Sequence, residues 1–356
     1  MPARSCLFLV VGITIHTGCA DIIGAEFDVD PIAEDGGAPS SGGGGGTGGT
    51  TDGGGGQSSG YCPDGAVEVA AGAPYPYGIA VGDDYVIWTE SDRVSRALKD
   101  GSSEPEVVQD GLVRPSRITV EGNHAYFADP GDADDGTVWS VDLDTGEPHL
   151  LASGLRGPQG ITVRDGIVYF TTVGAKGSGS PIMQIDSTLP GSNPAQFLVA
   201  PAGAGFLEAG EDALYGSSSL GGPFFVWKKD YQDMGNEQPT IAVPVEVGVS
   251  VVRLTGSLPI YAAYPSGPIA RYQEDLSQPL PLVLETSQMA DITVAGDWVY
   301  FAEFGTGTIG RVLVAGGTPK TVATMTNVNG MASDGEAIYF TQFQPGGSVC
   351  RLATER

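Results

Sequence analysis

The feature that most constrains this chain is a repeat of about 40 residues, running from Tyr61 to the end of the sequence. Each unit holds a strand, a Gly/Asp turn and a returning strand rich in aromatic residues. The returning strands read Val86-Ile87-Trp88-Thr89-Glu90, Ala125-Tyr126-Phe127-Ala128-Asp129, Val168-Tyr169-Phe170-Thr171-Thr172, Leu214-Tyr215-Gly216-Ser217-Ser218, Ile260-Tyr261-Ala262-Ala263-Tyr264, Val299-Tyr300-Phe301-Ala302-Glu303 and Ile338-Tyr339-Phe340-Thr341-Gln342. An aliphatic residue or Met stands nine positions before the third residue of six of them: Ile79, Ile118, Ile161, Leu207, Ile292 and Met331. In the fifth unit that place falls on Arg253, so its first strand reads as degenerate. A third strand follows, with cores such as Val94-Ser95-Arg96, Val138-Trp139-Ser140, Val226-Trp227-Lys228, Ile309-Gly310-Arg311 and Val349-Cys350-Arg351. A fourth closes most units, from Pro105–Gln109 to Pro319–Ala323.

Four short strands at this period predict propeller blades: a lone sheet exposes two apolar faces, and stacking its neighbours around an axis covers both. The seventh unit ends without a fourth strand, and Ala66–Ala71 ahead of the first unit supplies one. The sequence therefore predicts an all-β, seven-bladed propeller over residues 61–356, with the N-terminal strand closing the last blade. A six-bladed ring with one degenerate unit recruited elsewhere is the alternative. With 55 Gly and 25 Pro, the composition suits turn-linked strands.

Trp88-Thr89-Glu90 followed by Arg93-Val94-Ser95-Arg96-Ala97 and Asp100-Gly101-Ser102, with the opening Pro76-Tyr77-Gly78-Ile79-Ala80-Val81, resembles the YWTD-type propellers of lipoprotein-receptor ectodomains and, more loosely, NHL-type propellers. Two features depart from that family: it has six blades, and units four and five here lack both the second aromatic and the acidic residue.

Residues 1–18 read as an export signal, with Arg4 followed by the apolar run Cys6 to Ile15. Thr17-Gly18-Cys19 resembles the lipobox of bacterial lipoproteins, which implies diacylation of Cys19; His16 stands where that family places an aliphatic residue. An ordinary secretory signal is the alternative. Ala20 directly after Cys19 implies, by the same resemblance, outer-membrane or cell-surface display rather than inner-membrane retention. Residues 19–60 pass into a Gly/Ser/Thr-rich stretch that lacks the apolar side chains a core needs and reads as a tether.

A formal net charge of −26 excludes nucleic acid as a partner and leaves the lipid anchor as the contact with membrane. The expected partner is a protein, peptide or glycan, bound by a monomer. Removal of the signal leaves Cys62 and Cys350 as a disulfide pair in an oxidising compartment. Strand register sets Cys350 opposite Val69 rather than Cys62. Glu90, Asp129 and Glu303 share one repeat position, at the end of the blade where propellers bind ligands. Paired carboxylates there serve either as acid, base or cation ligands, or as acceptors for backbone amides, and their repetition favours the second role. Tyr77, Ser116, Gln159 and Asn329 enter their blades at the same end and line the expected central opening. Asp129, Asp132, Asp134 and Asp135 crowd one loop without EF-hand spacing, which favours a solvated loop over a calcium site. Histidine is limited to His16, His124 and His149, which argues against a catalytic triad or a multi-histidine zinc site. The expected function is a non-enzymatic binding or scaffold module at the cell envelope, without a cofactor. The alternative is a calcium-assisted hydrolase or lactonase with its site at the axis, by analogy with gluconolactonase-like propellers.

Overall fold

The computed structural model describes residues 61–354 apart from 133, 175–178, 190, 201–203, 219–224, 234–238, 242–252, 256–258, 265–266, 274 and 278. The signal, Cys19 and the tether lie outside the described residues.

The chain forms seven antiparallel four-stranded sheets. Blade 1 comprises Ile79–Val81, Tyr85–Thr89, Val94–Leu98 and Glu106–Gln109, from the axis outward. Blades 2 to 6 repeat this order, beginning at Ile118–Glu121, Ile161–Arg164, Ala204–Ala209, Arg253–Thr255 and Met289–Ala295. Blade 7 takes Val328–Ser333, Ala337–Gln342 and Gly347–Ala353 from the end of the chain, and its outermost strand, Val67–Ala73, from near the start of the described residues. Innermost strands touch in chain order, and that of blade 7 meets that of blade 1, so the ring closes.

The nine-residue spacing is a register: Ile79 pairs with Trp88, Ile118 with Phe127, Ile161 with Phe170, Leu207 with Gly216, Ile292 with Phe301 and Met331 with Phe340. Blade 5 corrects the expectation of a degenerate strand. Arg253–Thr255 pairs with Ile260–Ala263, with Leu254 opposite Ala262; the hairpin is one residue shorter, so the repeat position passes to Leu254.

The core is divided among the seams. Seven apolar clusters each lie between two neighbouring blades, such as Phe127 with Ile87 and Val94, or Phe340 with Tyr300 and Ile309. The aromatic strand supplies much of each, and a buried aromatic removes roughly 150–250 Å² from water. Blade 4 lacks that ring, since Gly216 stands where blade 2 has Phe127. Trp227, directly across from Gly216 on the third strand, fills the gap with its indole and is fully buried. Blade 6 shows the reverse arrangement, with Phe301 lying over Gly310. In blade 5, Ala262 faces Ala270, and the buried pair Tyr264 and Tyr272 (hydroxyl oxygens 2.6 Å apart) provides the bulk instead.

The recurring third-strand arginines tie blades together. Arg96 donates to the Leu143 carbonyl of blade 2, and Arg271 to the Val314 carbonyl of blade 6 at 2.9 Å. Cys62 and Cys350 form a disulfide with Cα atoms 5.8 Å apart, spanning 288 residues. Cys350 pairs in register with Glu68, one residue from the expected Val69, because the edge strand bulges between Glu68 and Ala70. The bond still forms: Pro63-Asp64-Gly65 makes a tight turn, with Ala66 N–H donating to Pro63 O at 3.0 Å and Gly65 at φ +83°.

Candidate functional site

The carboxylates expected at one end of the ring, here the upper face, are held apart by separate tasks. Asp129 accepts from the backbone amides of Val113 (3.0 Å) and Arg114 (2.9 Å), fixing the segment that leads into its own blade. Glu303 does the same for Ser287 at 2.9 Å and accepts from the Thr306 hydroxyl at 2.7 Å. Gln342 replaces the acid in blade 7 and donates its amide to Thr326 O at 3.2 Å, again on the incoming segment. Glu90 is buried, accepts from the Trp88 indole at 2.8 Å and lies 3.7 Å from Arg93. Burial is the foremost influence and lifts its carboxyl above the ordinary glutamate range, against hydrogen bonds from Ser95 and Trp88. Tyr264, at the same position in blade 5, is buried against Tyr272.

The entry residues meet the channel at a latch that sequence reading did not find. In blades 1, 3 and 7 a glycine precedes the repeated aliphatic or Met residue, and a threonine lies across from it. Thr89, Thr171 and Thr341 accept from the amides of Gly78, Gly160 and Gly330 at 2.9, 2.9 and 2.8 Å. Thr89 then donates to Ser116 O of blade 2 at 3.1 Å, and Thr341 to Tyr77 O of blade 1 at 3.0 Å. The glycine is what lets the next blade come so close. A Cβ would lie 2.5 Å from Ser116 O at Gly78, 2.0 Å from Gly205 O at Gly160 and 2.2 Å from Tyr77 O at Gly330. Ser116 and Gln159 extend the pattern, the Ser116 hydroxyl donating to Gln159 O at 3.3 Å. Asn329 stands half-buried beside Gly330.

In blades 2, 4 and 6 the glycine is replaced by Arg117, Phe206 and Asp291, and the threonine by Ala128, Ser217 and Ala302. Asp291 spans its seam directly, accepting from Met331 N of blade 7 at 2.8 Å. Arg117 reaches across the axis: its guanidinium lies 4.0 Å from the Phe206 ring centre and 5.6 Å from that of Tyr77. Beneath it is a channel cavity of about 190 Å³, whose polar lining includes Thr119, Thr162, Glu208, Thr293 and Ser333. The signal for these residues is present in the sequence, as a position where glycine and bulky side chains alternate between units.

A second cavity, of about 630 Å³, opens at the rim between blades 6 and 7, beneath the segment that carries Cys62. Tyr61, Thr324, Thr326, Gln342 and Gln344 contribute to its wall. Inward of it, Tyr75, Phe343 and Tyr77 form a row of rings with centres 5.4 and 6.0 Å apart.

In the acidic loop, Asp129 is engaged as described and Asp134 lies 3.5 Å from Arg156. Among the described residues no group of three or more His, Cys, Asp or Glu side chains is arranged to hold a metal ion. His124 opens the second strand of blade 2, 4.0 Å from Asp142 and at the opposite end of the blade from Glu90.

No family model matches the chain, and no curated protein sequence matches it. Solved structures do. The chain is similar to hydrazine synthase of Kuenenia stuttgartiensis, with TM-score 0.65, 13% identity, and coverage of 80% of this chain and 97% of that one. It is similar to a chain of a mitotic checkpoint complex, with TM-score 0.62, 10% identity and coverage of 87% and 100%. A third likeness is to YCF48 from Cyanidioschyzon merolae, with TM-score 0.58, 10% identity and coverage of 81% and 98%. At such identities the likeness shows the fold alone: this chain is a β-propeller.

Proposed function

We propose that the protein is a lipid-anchored, exported propeller that acts as a non-enzymatic binding or scaffold module at the cell envelope, held there through Cys19 and a tether over residues 19–60. The observation that carries the reading is the Cys62–Cys350 disulfide at the ring closure, since such bonds persist where the compartment is oxidising. The engagement of Asp129 and Glu303 by backbone amides adds support, because carboxylates already holding the architecture are poorly placed to move protons.

The test is expression in a Gram-negative host with labelled palmitate, followed by fractionation. Label should enter the wild-type chain and co-sediment with outer membrane, while Cys19→Ser should lose the label and release the propeller. Unlabelled wild type, or a cytoplasmic chain with free thiols, would overturn the reading. Thermal melting with calcium and with chelator checks the binding-module half: an unchanged midpoint is expected, and a clear rise with calcium would favour the metal-assisted hydrolase instead.

A further inference from the structure

We propose that the upper rim of blade 7 is a binding groove for a linear, uncharged oligosaccharide, running from Tyr61 at the outer edge to the channel mouth at Tyr77. This rests on the reading of the chain as a binding module and names the class of its partner.

The proposed groove joins two neighbouring features, the rim cavity and the row of rings, through Gln344. Its outer end is the cavity of about 630 Å³, within the rough span of small-molecule sites. Its floor is an ordered file of neutral hydrogen-bonding groups: Gln344 donates to Gln342 Oε1 at 3.0 Å, and Gln342 donates to Thr326 O at 3.2 Å. Gln344 also joins this cavity to the aromatic row, since its carbonyl accepts from Tyr75 N–H at 3.1 Å and Phe343 adjoins it in sequence. Beyond lie the rings of Tyr75, Phe343 and Tyr77, and then Arg117.

Tyr75 is the exposed end of the row of rings. It has φ of 52°, a left-handed conformation that costs a bulky residue energy, and its side chain is still 38% exposed.

The lining selects the occupant by charge. In a chain with 43 acidic and 17 basic residues, the cavity wall carries Asp64 as its charged side chain and is otherwise apolar, hydroxyl or amide. An uncharged ligand is thereby favoured. A pyranose presents C–H bonds on its faces and hydroxyls around its edge, which suits ring faces flanked by Gln and Thr. An extended peptide, which would add to the outer edge of blade 6 along Val322–Thr324, is the other outcome that the titration below separates.

The experiment is calorimetric titration of the full chain, purified in mild detergent, with cellohexaose, maltohexaose and chitohexaose. Saturable binding of at least one is expected, unchanged between low and high salt. Tyr75→Gly and Phe343→Ala should each weaken it by about fivefold or more. Tyr75→Gly should keep the melting midpoint within about 2 °C, because it removes the ring and relieves the backbone together. Failure of all three sugars to bind, or variants that bind as wild type does, overturns the inference. A peptide library that binds saturably where the sugars do not overturns it too, while leaving the binding-module reading intact; silence from sugars and peptides alike removes both.

Discussion

Blades 1, 3 and 7 and blades 2, 4 and 6 solve the same problem differently at the channel. The first group brings neighbouring backbones together through a glycine whose amide donates to a threonine, and in blades 1 and 7 that threonine passes a bond on to the next blade. The second gives up both the glycine and the threonine, leaving Arg117 beside Ala128, Phe206 beside Ser217 and Asp291 beside Ala302, although Ser217 still accepts from Phe206 N–H at 3.2 Å. The first bond survives without the glycine, as Ser217 shows, whereas the second depends on it. A threonine gains its second bond only where the next carbonyl can approach, and that approach is closed to any residue bearing a Cβ. What the second group gains is a side chain at the mouth of the channel.

The largest expected effect concerns the seam where the ring is both latched and stapled. Cys62→Ser should cost about 4 kcal/mol in denaturant unfolding, because the bond closes a loop of nearly the whole domain in the unfolded chain. Wild type under reductant should behave alike. A cost near zero would mean that the Gly330–Thr341 latch closes the ring unaided. Next comes the comparison itself. Gly330→Ala drives a Cβ toward Tyr77 O and should cost about 3 kcal/mol, whereas Arg117→Ala loses only ring contacts and should cost about 1 kcal/mol. Equal costs in the same unfolding assay would break the distinction between the two groups.

The smallest effect tests a latched blade through its buried acid. Burial raises the Glu90 carboxyl, so the folded chain holds that proton more tightly than the unfolded chain does. The contribution is therefore fully present in acid and is lost as pH rises through the ordinary glutamate range toward neutrality. Glu90→Gln should flatten this part of the stability profile, measured by thermal melting from pH 4 upward. A variant whose profile parallels wild type would show that the carboxyl does not titrate as its burial implies.

Much of the ring was legible in the residues. Period, strand order and the nine-residue register all follow from side-chain patterning, because each strand must place one face toward each neighbouring blade. The composite last blade followed from counting strands. The upper-face residues share one repeat position, yet their partners are hidden in the sequence. Asp129 and Glu303 bind amides 15 and 16 residues away, and nothing local in the sequence marks which segment returns to them. The compensation of Gly216 by Trp227 was likewise invisible, since the two meet only across paired strands. The one-residue slip at Glu68 came from a bulge, which leaves no trace in an alternating pattern.

The sequence by itself determined the repeat, the number of sheets and the pairing of first strand with last, because these depend on periodicity and strand count. Only the tertiary structure decided which glycines admit a neighbour's carbonyl, where Arg117 comes to rest and how Gln344 both lines the rim cavity and accepts from Tyr75 N–H. Such contacts join residues far apart in the chain, and their energies depend on distances that no one-dimensional pattern carries.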